Sequence, residues 1–128
     1  MIGNISAAVL FVQDLDACVA FYRDVVGLEV TFNDDVSYAF RLGEQDFVLL
    51  HVSAAVNMIS AEAVMPGVQG GQRVLLCAEF KQIDAAYEAL VAKGLTFIKP
   101  PIDQPWGRRT AYFADPEGNL WEMYQHLA

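Results

Sequence analysis

The sequence has few cysteines and few basic residues. Cys18 and Cys77 are the only cysteines among 128 residues, too few and too far apart for a disulfide framework or a zinc motif. We interpret both as small buried hydrophobic residues. Eight lysines and arginines stand against sixteen acidic residues, and the net charge of −8 has the wrong sign for binding nucleic acid.

Long apolar runs and targeting segments are also missing. No stretch approaches the ~18 consecutive apolar residues of a membrane-spanning helix. The first five residues carry no basic charge ahead of an apolar segment, as a secretory signal would. We therefore expect a cytoplasmic protein without a membrane partner. The sequence also shows no nucleophile–base motif, phosphate-binding loop or dinucleotide fingerprint.

Apolar residues, in contrast, are abundant and make up 55% of the chain. A chain of this length suits one compact domain. Such a high apolar fraction indicates either two small cores or apolar surface that is buried against a second chain, and we favour the second explanation. We therefore expect a homodimer, and an exchange of half-chains between its subunits is one way to cover this surface.

The first half of the chain has the pattern of one helix and four strands. Alternating apolar residues predict a strand over Ser6–Val12. Helical spacing then predicts a helix from Leu15 to Val26, with Asp14 as its N-cap and Gly27 as its C-cap. Three more strands are predicted at about 28–33, 36–42 and 46–52. The order is βαβββ.

The second half repeats this order. A strand over Arg73–Phe80 is followed by a helix from Ile83 to Lys93, which Gly94 ends. A proline-rich loop at 100–105 and a tight turn at 115–119 separate the last three strands, predicted at about 95–99, 109–114 and 120–125.

Together these patterns predict an α+β fold of a single domain, built from two βαβββ modules. The modules cover about 1–52 and 73–128, and a linker at 53–72 with a helical turn near Asn57–Val64 joins them. We expect about eight strands in a curled mixed sheet around a cleft, with the helices on its outer face.

Four motifs resemble the vicinal oxygen chelate superfamily, which includes glyoxalase, extradiol dioxygenases, fosfomycin resistance enzymes and bleomycin resistance proteins. They cover nearly the whole chain: Phe11–Asp16, Phe21–Leu28, Ile83–Leu90 with Lys93-Gly94 after it, and Pro105–Gly107 with Asp115–Glu122. The resemblance implies the fold described above. The superfamily hosts many reactions and also binders without activity, so it does not fix the function.

The resemblance also implies where a metal would be held. Enzymes of the superfamily place metal ligands on the first and last strands of each module, and counting from the motifs assigns these places to Ala7, Leu49, Leu75 and Glu122. A divalent cation needs about three protein donors. We therefore expect no metal and no cofactor, as in the bleomycin-resistance-like branch.

A cleft of this kind is expected to bind a small molecule between apolar walls with a few polar groups. Alternation places these residues on the inner faces: Ala7, Val9, Phe11, Phe47, Leu49, His51, Leu75, Cys77, Glu79, Glu122 and Tyr124. Trp106 lies on a loop where it can stack on a ligand, whereas Trp121 alternates away and is expected to pack under a helix. The predicted ligand-binding residues are Phe11, Phe47, His51, Trp106, Arg108, Glu122 and Tyr124.

The leading hypothesis is a metal-free homodimer that sequesters a planar, apolar or cationic small molecule, such as an antibiotic. The alternative is an enzyme of the lyase, isomerase or dioxygenase type, in which Glu122, and also His51, acts as acid or base. A third reading is a structural dimer whose cleft is filled by its own side chains. Glu122 could instead pair with Arg108 or Arg109, and the sequence leaves these alternatives open.

Overall fold

The computed structural model describes residue 3, residues 5–64 and residues 74–128. The chain divides into two compact units, Met1–Gln69 and Gly70–Ala128, and their boundary falls within the predicted linker. The described residues form two four-stranded mixed sheets, one in each unit. The predicted α+β class with two βαβββ modules is confirmed. None of the helices in these ranges is long and apolar enough to cross a bilayer.

The first module has the predicted order of elements. They are β1 (Ala7–Val12), α1 (Leu15–Val19) continued by a π-helical segment (Ala20–Val25), β2 (Glu29–Asn33), β3 (Ser37–Leu42) and β4 (Gln45–His51). The strand order is β1-β4-β3-β2, in which β1 runs parallel to β4 and the other pairs are antiparallel. Asp14 caps the helix as predicted, because its Oδ1 accepts the Ala17 N–H at 3.0 Å.

An aromatic core lies between the helix and the sheet of the first module. The Tyr22 ring meets the Phe47 ring edge-on at 4.9 Å between centroids, and Phe40 lies 6.1 Å from Phe47. All three side chains are buried. Burial of such large rings supplies most of the apolar contact that holds a helix against a sheet.

Two short helices follow β4: α2 (Val52–Met58) and α3 (Ala61–Val64). The strand predicted to reach residue 52 therefore ends at His51. The helical turn predicted near Asn57–Val64 corresponds to the end of α2 and to α3, and α2 begins earlier, at Val52. Leu50, Ala55 and Val64 are buried together, so this segment packs on the first module rather than crossing over open solvent.

The second module contains β5 (Leu75–Glu79), α4 (Ile83–Ala92), β6 (Phe97–Asp103), β7 (Arg108–Ala114) and β8 (Leu120–His126). The strand order is β5-β8-β7-β6, with β5 parallel to β8. The predicted first residue of β5, Arg73, lies outside the described residues. The start of α4 is tied to β8, because the Ile83 N–H donates to Gln125 Oε1 at 2.8 Å.

The prediction of a loop at 100–105 is wrong for residues 100–103, and the loop begins only after Asp103. Strand β6 continues through Pro100 and Pro101 to Asp103, and its register against β7 shifts twice on the way. A proline cannot donate a ladder hydrogen bond, which forbids it in a central strand but not at an edge or a bulge. Because β6 is the edge strand of its sheet, both prolines are accommodated there.

A series of ring contacts identifies the face of the second sheet that α4 covers. Tyr87 of α4 contacts Phe97 at 4.6 Å, Phe97 contacts Phe113 at 5.6 Å, and Phe113 stacks on Trp121 at 6.1 Å. Trp121 therefore packs beneath the helix, as predicted. Since side chains alternate along a strand, Glu122 points to the opposite face.

Candidate functional site

The opposite face of the second sheet carries a row of three polar side chains on adjacent strands. Glu122 in β8 pairs with Cys77 in β5 on one side and with Tyr112 in β7 on the other. Residues that pair across strands point to the same face of a sheet. We call Cys77, Glu122 and Tyr112 the polar row.

Glu122 is the buried member of the polar row, with 8% of its surface exposed. The Tyr112 hydroxyl donates a hydrogen bond of 2.7 Å to Glu122 Oε1. Partial burial, and then this hydrogen bond, raise the pKa of the Tyr112 phenol above its usual value. Tyr112 therefore stays protonated at neutral pH and serves Glu122 as a neutral donor.

Cys77 is exposed, whereas Cys18 is fully buried, so the prediction of a buried position is wrong for Cys77. The alternation of β5 explains this, because Cys77 lies on the face away from α4. Neighbouring side chains still remove part of the water around its sulfur. This desolvation, followed by the charge of Glu122 and a hydrogen bond to it, raises the pKa of the Cys77 thiol, and the charge of Arg108 partly offsets the increase.

Arg108 lies on the same face and contacts an aromatic ring. Its guanidinium carbon is 4.1 Å from the centroid of Tyr124, a distance typical of a cation–π interaction. Between the polar row and Arg108 lies Thr110, fully buried, whose Oγ1 accepts a 3.0 Å hydrogen bond from Gln104 Nε2. The face thus carries a carboxylate, a guanidinium and two phenol rings.

Glu122 makes no structural ion pair with either neighbouring arginine in the described part of the chain. The ion pairs found there are Arg23–Asp24, Arg41–Asp46, Arg109–Asp84 and Arg109–Asp103. Arg109 points toward α4 and bridges Asp84 and Asp103, each at 2.9 Å. The alternative of a Glu122–Arg109 pair is therefore not realised.

Trp106 lies in the turn between β6 and β7, two residues before Arg108. The turn is closed by the Gln104 N–H donating to the Arg108 carbonyl at 2.7 Å, and Gly107 takes a φ of +86°, which favours glycine. The Trp106 side chain is 61% exposed, so its ring is free to meet a ligand or a second chain.

The structure places Phe47 and Leu49 on the other side of the first sheet from where alternation put them. Both are buried against the helix, and Phe47 is 1% exposed. Strand pairing gives the reason. In the first module Val9 of β1 pairs with Val48 of β4, and in the second module Cys77 of β5 pairs with Glu122 of β8 in the same parallel arrangement. The counterpart of Glu122 in the first module is therefore Val48, and counting from the motifs was off by one residue, which inverts the face.

His51 has a structural role within the first module. Its Nδ1 accepts the Ser53 N–H at 3.1 Å and so caps α2. The ring borders a surface depression of about 480 Å³ together with Gln13, Asp14, Leu15, Asp16 and Asp35. Phe11, on β1, is 40% exposed. Neither residue belongs to the polar row.

The donor set does not fit the metal that the superfamily's enzymes hold. With the corrected register, the four places are Ala7, Val48, Leu75 and Glu122. Three of these side chains have no donor atom, whereas a divalent cation needs several oxygen or nitrogen ligands. In the described ranges, no group of three or more His, Cys, Asp or Glu side chains has the geometry to hold a metal ion.

Sequence reasoning identified Glu122, Arg108 and Tyr124, which share this face, and placed Cys77 on an inner face without giving it a chemical role, but it missed Tyr112. One signal was available. The turn predicted at 115–119 fixes the hairpin register, so Tyr112 follows as the partner of Glu122. The parallel pairing of Cys77 with Glu122 joins distant segments and has no comparable local signal.

Comparisons with known proteins agree with this architecture. The sequence model of the Glyoxalase/Bleomycin resistance protein/Dioxygenase superfamily matches residues 4–123. The Bacillus subtilis protein YraH is 31% identical over 121 residues, which are 92% of this chain and 94% of that protein.

Solved structures are similar over nearly the whole chain. A glyoxalase/bleomycin resistance protein/dioxygenase from Nocardioides has a TM-score of 0.85 and 28% identity, with 99% of this chain and 85% of that chain covered. A lactoylglutathione lyase from Agrobacterium tumefaciens has a TM-score of 0.76 at 24% identity, with 98% and 95% covered, and at this identity it supports the fold alone.

Proposed function

This chain belongs to the Glyoxalase/Bleomycin resistance protein/Dioxygenase superfamily, and from that premise we propose that it is a metal-free small-molecule-binding protein. The ligand is a planar, apolar or cationic molecule of the antibiotic type, held against the face of the second sheet that carries the polar row. The composition of this face supports the proposal, because a few polar groups lie there among aromatic side chains, as they do in small-molecule sites.

The single observation that carries the proposal is the environment of Glu122. Its carboxylate is buried, and its neighbours in the polar row are a phenol that donates to it and a thiol, both of them neutral. A buried carboxylate without a cationic partner is costly, so a ligand that brings a positive charge gains a charge-assisted hydrogen bond there. The net charge of −8 favours the approach of a cation as well.

The aromatic residues nearby suit the planar part of such a ligand. The ring of Tyr124 contacts the Arg108 guanidinium, and this contact supports the idea that a planar cation can stack there. Trp106 offers a further ring, which is exposed, at the end of the sheet from which β7 starts. These rings supply apolar area, while Glu122 supplies selectivity for charge.

Binding of benzamidinium and of benzamide, measured by calorimetry, tests the proposal. The two probes have nearly the same shape and differ in charge. We expect Glu122→Gln to weaken benzamidinium binding at least ~10-fold, about 1.4 kcal/mol, and to leave benzamide unchanged. Glu79→Gln is the control, because Glu79 is an exposed carboxylate one row away on the same face. Equal affinity of wild type and Glu122→Gln for benzamidinium would refute the role of Glu122.

A second candidate function is catalysis, with Glu122 as general acid or base. It is favoured by the hydrogen bond from Tyr112 to Glu122 and by the position of Cys77 beside Glu122 on the next strand, which bring together three groups that can exchange protons. The variant Glu122→Gln separates the two functions. If Glu122→Gln still binds a candidate substrate but no longer converts it, the result favours catalysis.

We also propose that the protein is a homodimer. β1 and β5 are edge strands of their sheets, and Val9, Phe11 and Leu75 on them are large apolar residues that remain exposed. Edge strands with exposed apolar side chains are surfaces that a second chain covers readily. Sedimentation equilibrium should give twice the mass of the 14.1 kDa chain. A monomer at all micromolar concentrations would exclude the dimer.

A further inference from the structure

The polar row has the composition of a nucleophile, a base and an orienting group. Cys77, Glu122 and Tyr112 lie side by side on three adjacent strands. Cys77 and Glu122 are cross-strand neighbours in the β5–β8 pair, which places the thiol beside the Glu122 carboxylate, and the Tyr112 hydroxyl donates to Glu122 Oε1 at 2.7 Å. A side-chain nucleophile in contact with a base that a third group orients is the general arrangement of covalent catalysis.

The three groups also differ in access in the way that such chemistry requires. Cys77 is exposed on the edge strand of its sheet, so an incoming molecule can reach its sulfur. Glu122 is more than nine-tenths buried behind it, out of competition with bulk water. The other thiol of the chain, Cys18, is fully buried and provides an internal reference.

We infer that Cys77 adds covalently to small molecules that carry an activated carbon–carbon double bond, with Glu122 taking the thiol proton. The inference rests on the proposed binding of small molecules at this face and adds a chemical class to it. The class is a double bond conjugated to a carbonyl, as in a maleimide or a quinone.

The step is balanced without any co-reactant. A sulfur lone pair forms a bond to the β-carbon of the double bond, while the S–H bond breaks and its proton passes to the Glu122 carboxylate. The π electron pair moves toward the carbonyl and gives an enolate, which then takes the proton back from Glu122 at its α-carbon. The net change is addition of S–H across the double bond. The positive charge of Arg108, which acts on Cys77, also favours the transient enolate.

Glu122 has a necessary part in this step. The thiolate is the reactive form of cysteine, and burial and the charge of Glu122 keep Cys77 protonated at neutral pH. An isolated thiol in this state would react slowly. A base beside the thiol removes the proton as the new bond forms, so the reaction does not depend on free thiolate.

Alkylation by N-ethylmaleimide at pH 6 and pH 8, followed by peptide mass mapping, tests the inference. We expect Cys77 of the wild type to react at least ~10-fold faster at pH 6 than Cys77 of Glu122→Gln. The rate of Glu122→Gln should rise roughly 100-fold between the two pH values, as the thiolate fraction does, and that of the wild type much less. Cys18 should stay unmodified in both folded proteins.

Two outcomes would overturn the inference. If Cys77 of Glu122→Gln reacts faster than that of the wild type at pH 6, the charge of Glu122 only lowers the fraction of Cys77 thiolate and Glu122 does not act as a base. If Cys77 of the folded wild type is not modified, it is no nucleophile.

Tyr112→Phe is a second variant that keeps both reacting groups. Loss of the phenol removes the donor that orients Glu122 Oε1, so the rate at pH 6 should fall, and an unchanged or higher rate also counts against the inference.

A separate measurement distinguishes this inference from the proposed function. The variant Cys77→Ser has no thiol but keeps Glu122 and Tyr112, so it should bind benzamidinium as the wild type does. Suppose that benzamidinium binding depends on Glu122 but alkylation of Cys77 does not. This result refutes the covalent chemistry and leaves the proposed function standing. If benzamidinium binding does not depend on Glu122 in any of these proteins, the proposed function is refuted instead.

Discussion

Replacing Phe47 with alanine is expected to lower the free energy of unfolding of the first module by about 3–5 kcal/mol. The ring is fully enclosed, with Tyr22 at 4.9 Å and Phe40 at 6.1 Å between centroids. Its removal leaves a cavity between the helix and the sheet and takes away two aromatic contacts. Urea denaturation followed by the intrinsic fluorescence and by circular dichroism measures the loss.

Phe11→Ala is the matched control for this prediction. Phe11 is also a phenylalanine on a strand of the first sheet and was predicted to bind ligand, but it is 40% exposed. Its truncation should cost less than about 1 kcal/mol, because the side chain leaves no enclosed cavity. Similar losses for the two variants would show that Phe47 is not a core residue in solution.

The position of Phe47 shows where sequence reasoning fails on this chain. The existence and order of the elements follow from apolar periodicity and from caps such as Asp14, and these predictions are confirmed. The face of β4 does not follow, because Phe47 to Leu50 form a continuous apolar run in which neither phase of a two-residue alternation is visible. The phase is decided by pairing with β3 and β1, and the β1 pairing joins residues some forty positions apart.

The polar row shows the same limit at the candidate site. Glu122 stands out in the sequence because it is a carboxylate among apolar residues of a predicted strand. Its partner Tyr112 follows from the hairpin turn, which is local, whereas Cys77 depends on a parallel pairing across the whole module. Local chemistry therefore predicts the centre of the site, and long-range register determines its nucleophile.

The burial of Glu122 also makes the interpretation of the site dependent on its partners. A buried carboxylate that forms an ion pair with a guanidinium is mainly structural. Arg108 instead contacts the Tyr124 ring, and Arg109 bridges Asp84 and Asp103 near α4. The charge of Glu122 is thus available to a cationic ligand or to the Cys77 proton, and the two experiments above assign it to one or both.

The register of the polar row depends on the turn between β7 and β8. Asp115, which is 5% exposed, accepts hydrogen bonds at Oδ1 from the Glu117 and Asn119 N–H groups, each at 2.9 Å, and at Oδ2 from Asn119 Nδ2 at 2.8 Å. The Asp115 N–H also donates to the Asn119 carbonyl. One buried carboxylate therefore satisfies three donors and closes the hairpin that places Tyr112 opposite Glu122.

Asp115→Ala is expected to lower the free energy of unfolding of the second module by about 3 kcal/mol, because it leaves two backbone N–H groups and an amide without their acceptor. Thermal and urea denaturation measure the loss, and a shifted hairpin register should also weaken benzamidinium binding. Asp34→Ala is the control: Asp34 accepts from the Val36 and Ser37 N–H groups in a similar turn, but it is exposed, so water replaces the lost acceptor. A loss for Asp115→Ala no larger than that for Asp34→Ala would mean that the turn does not set the register of the polar row.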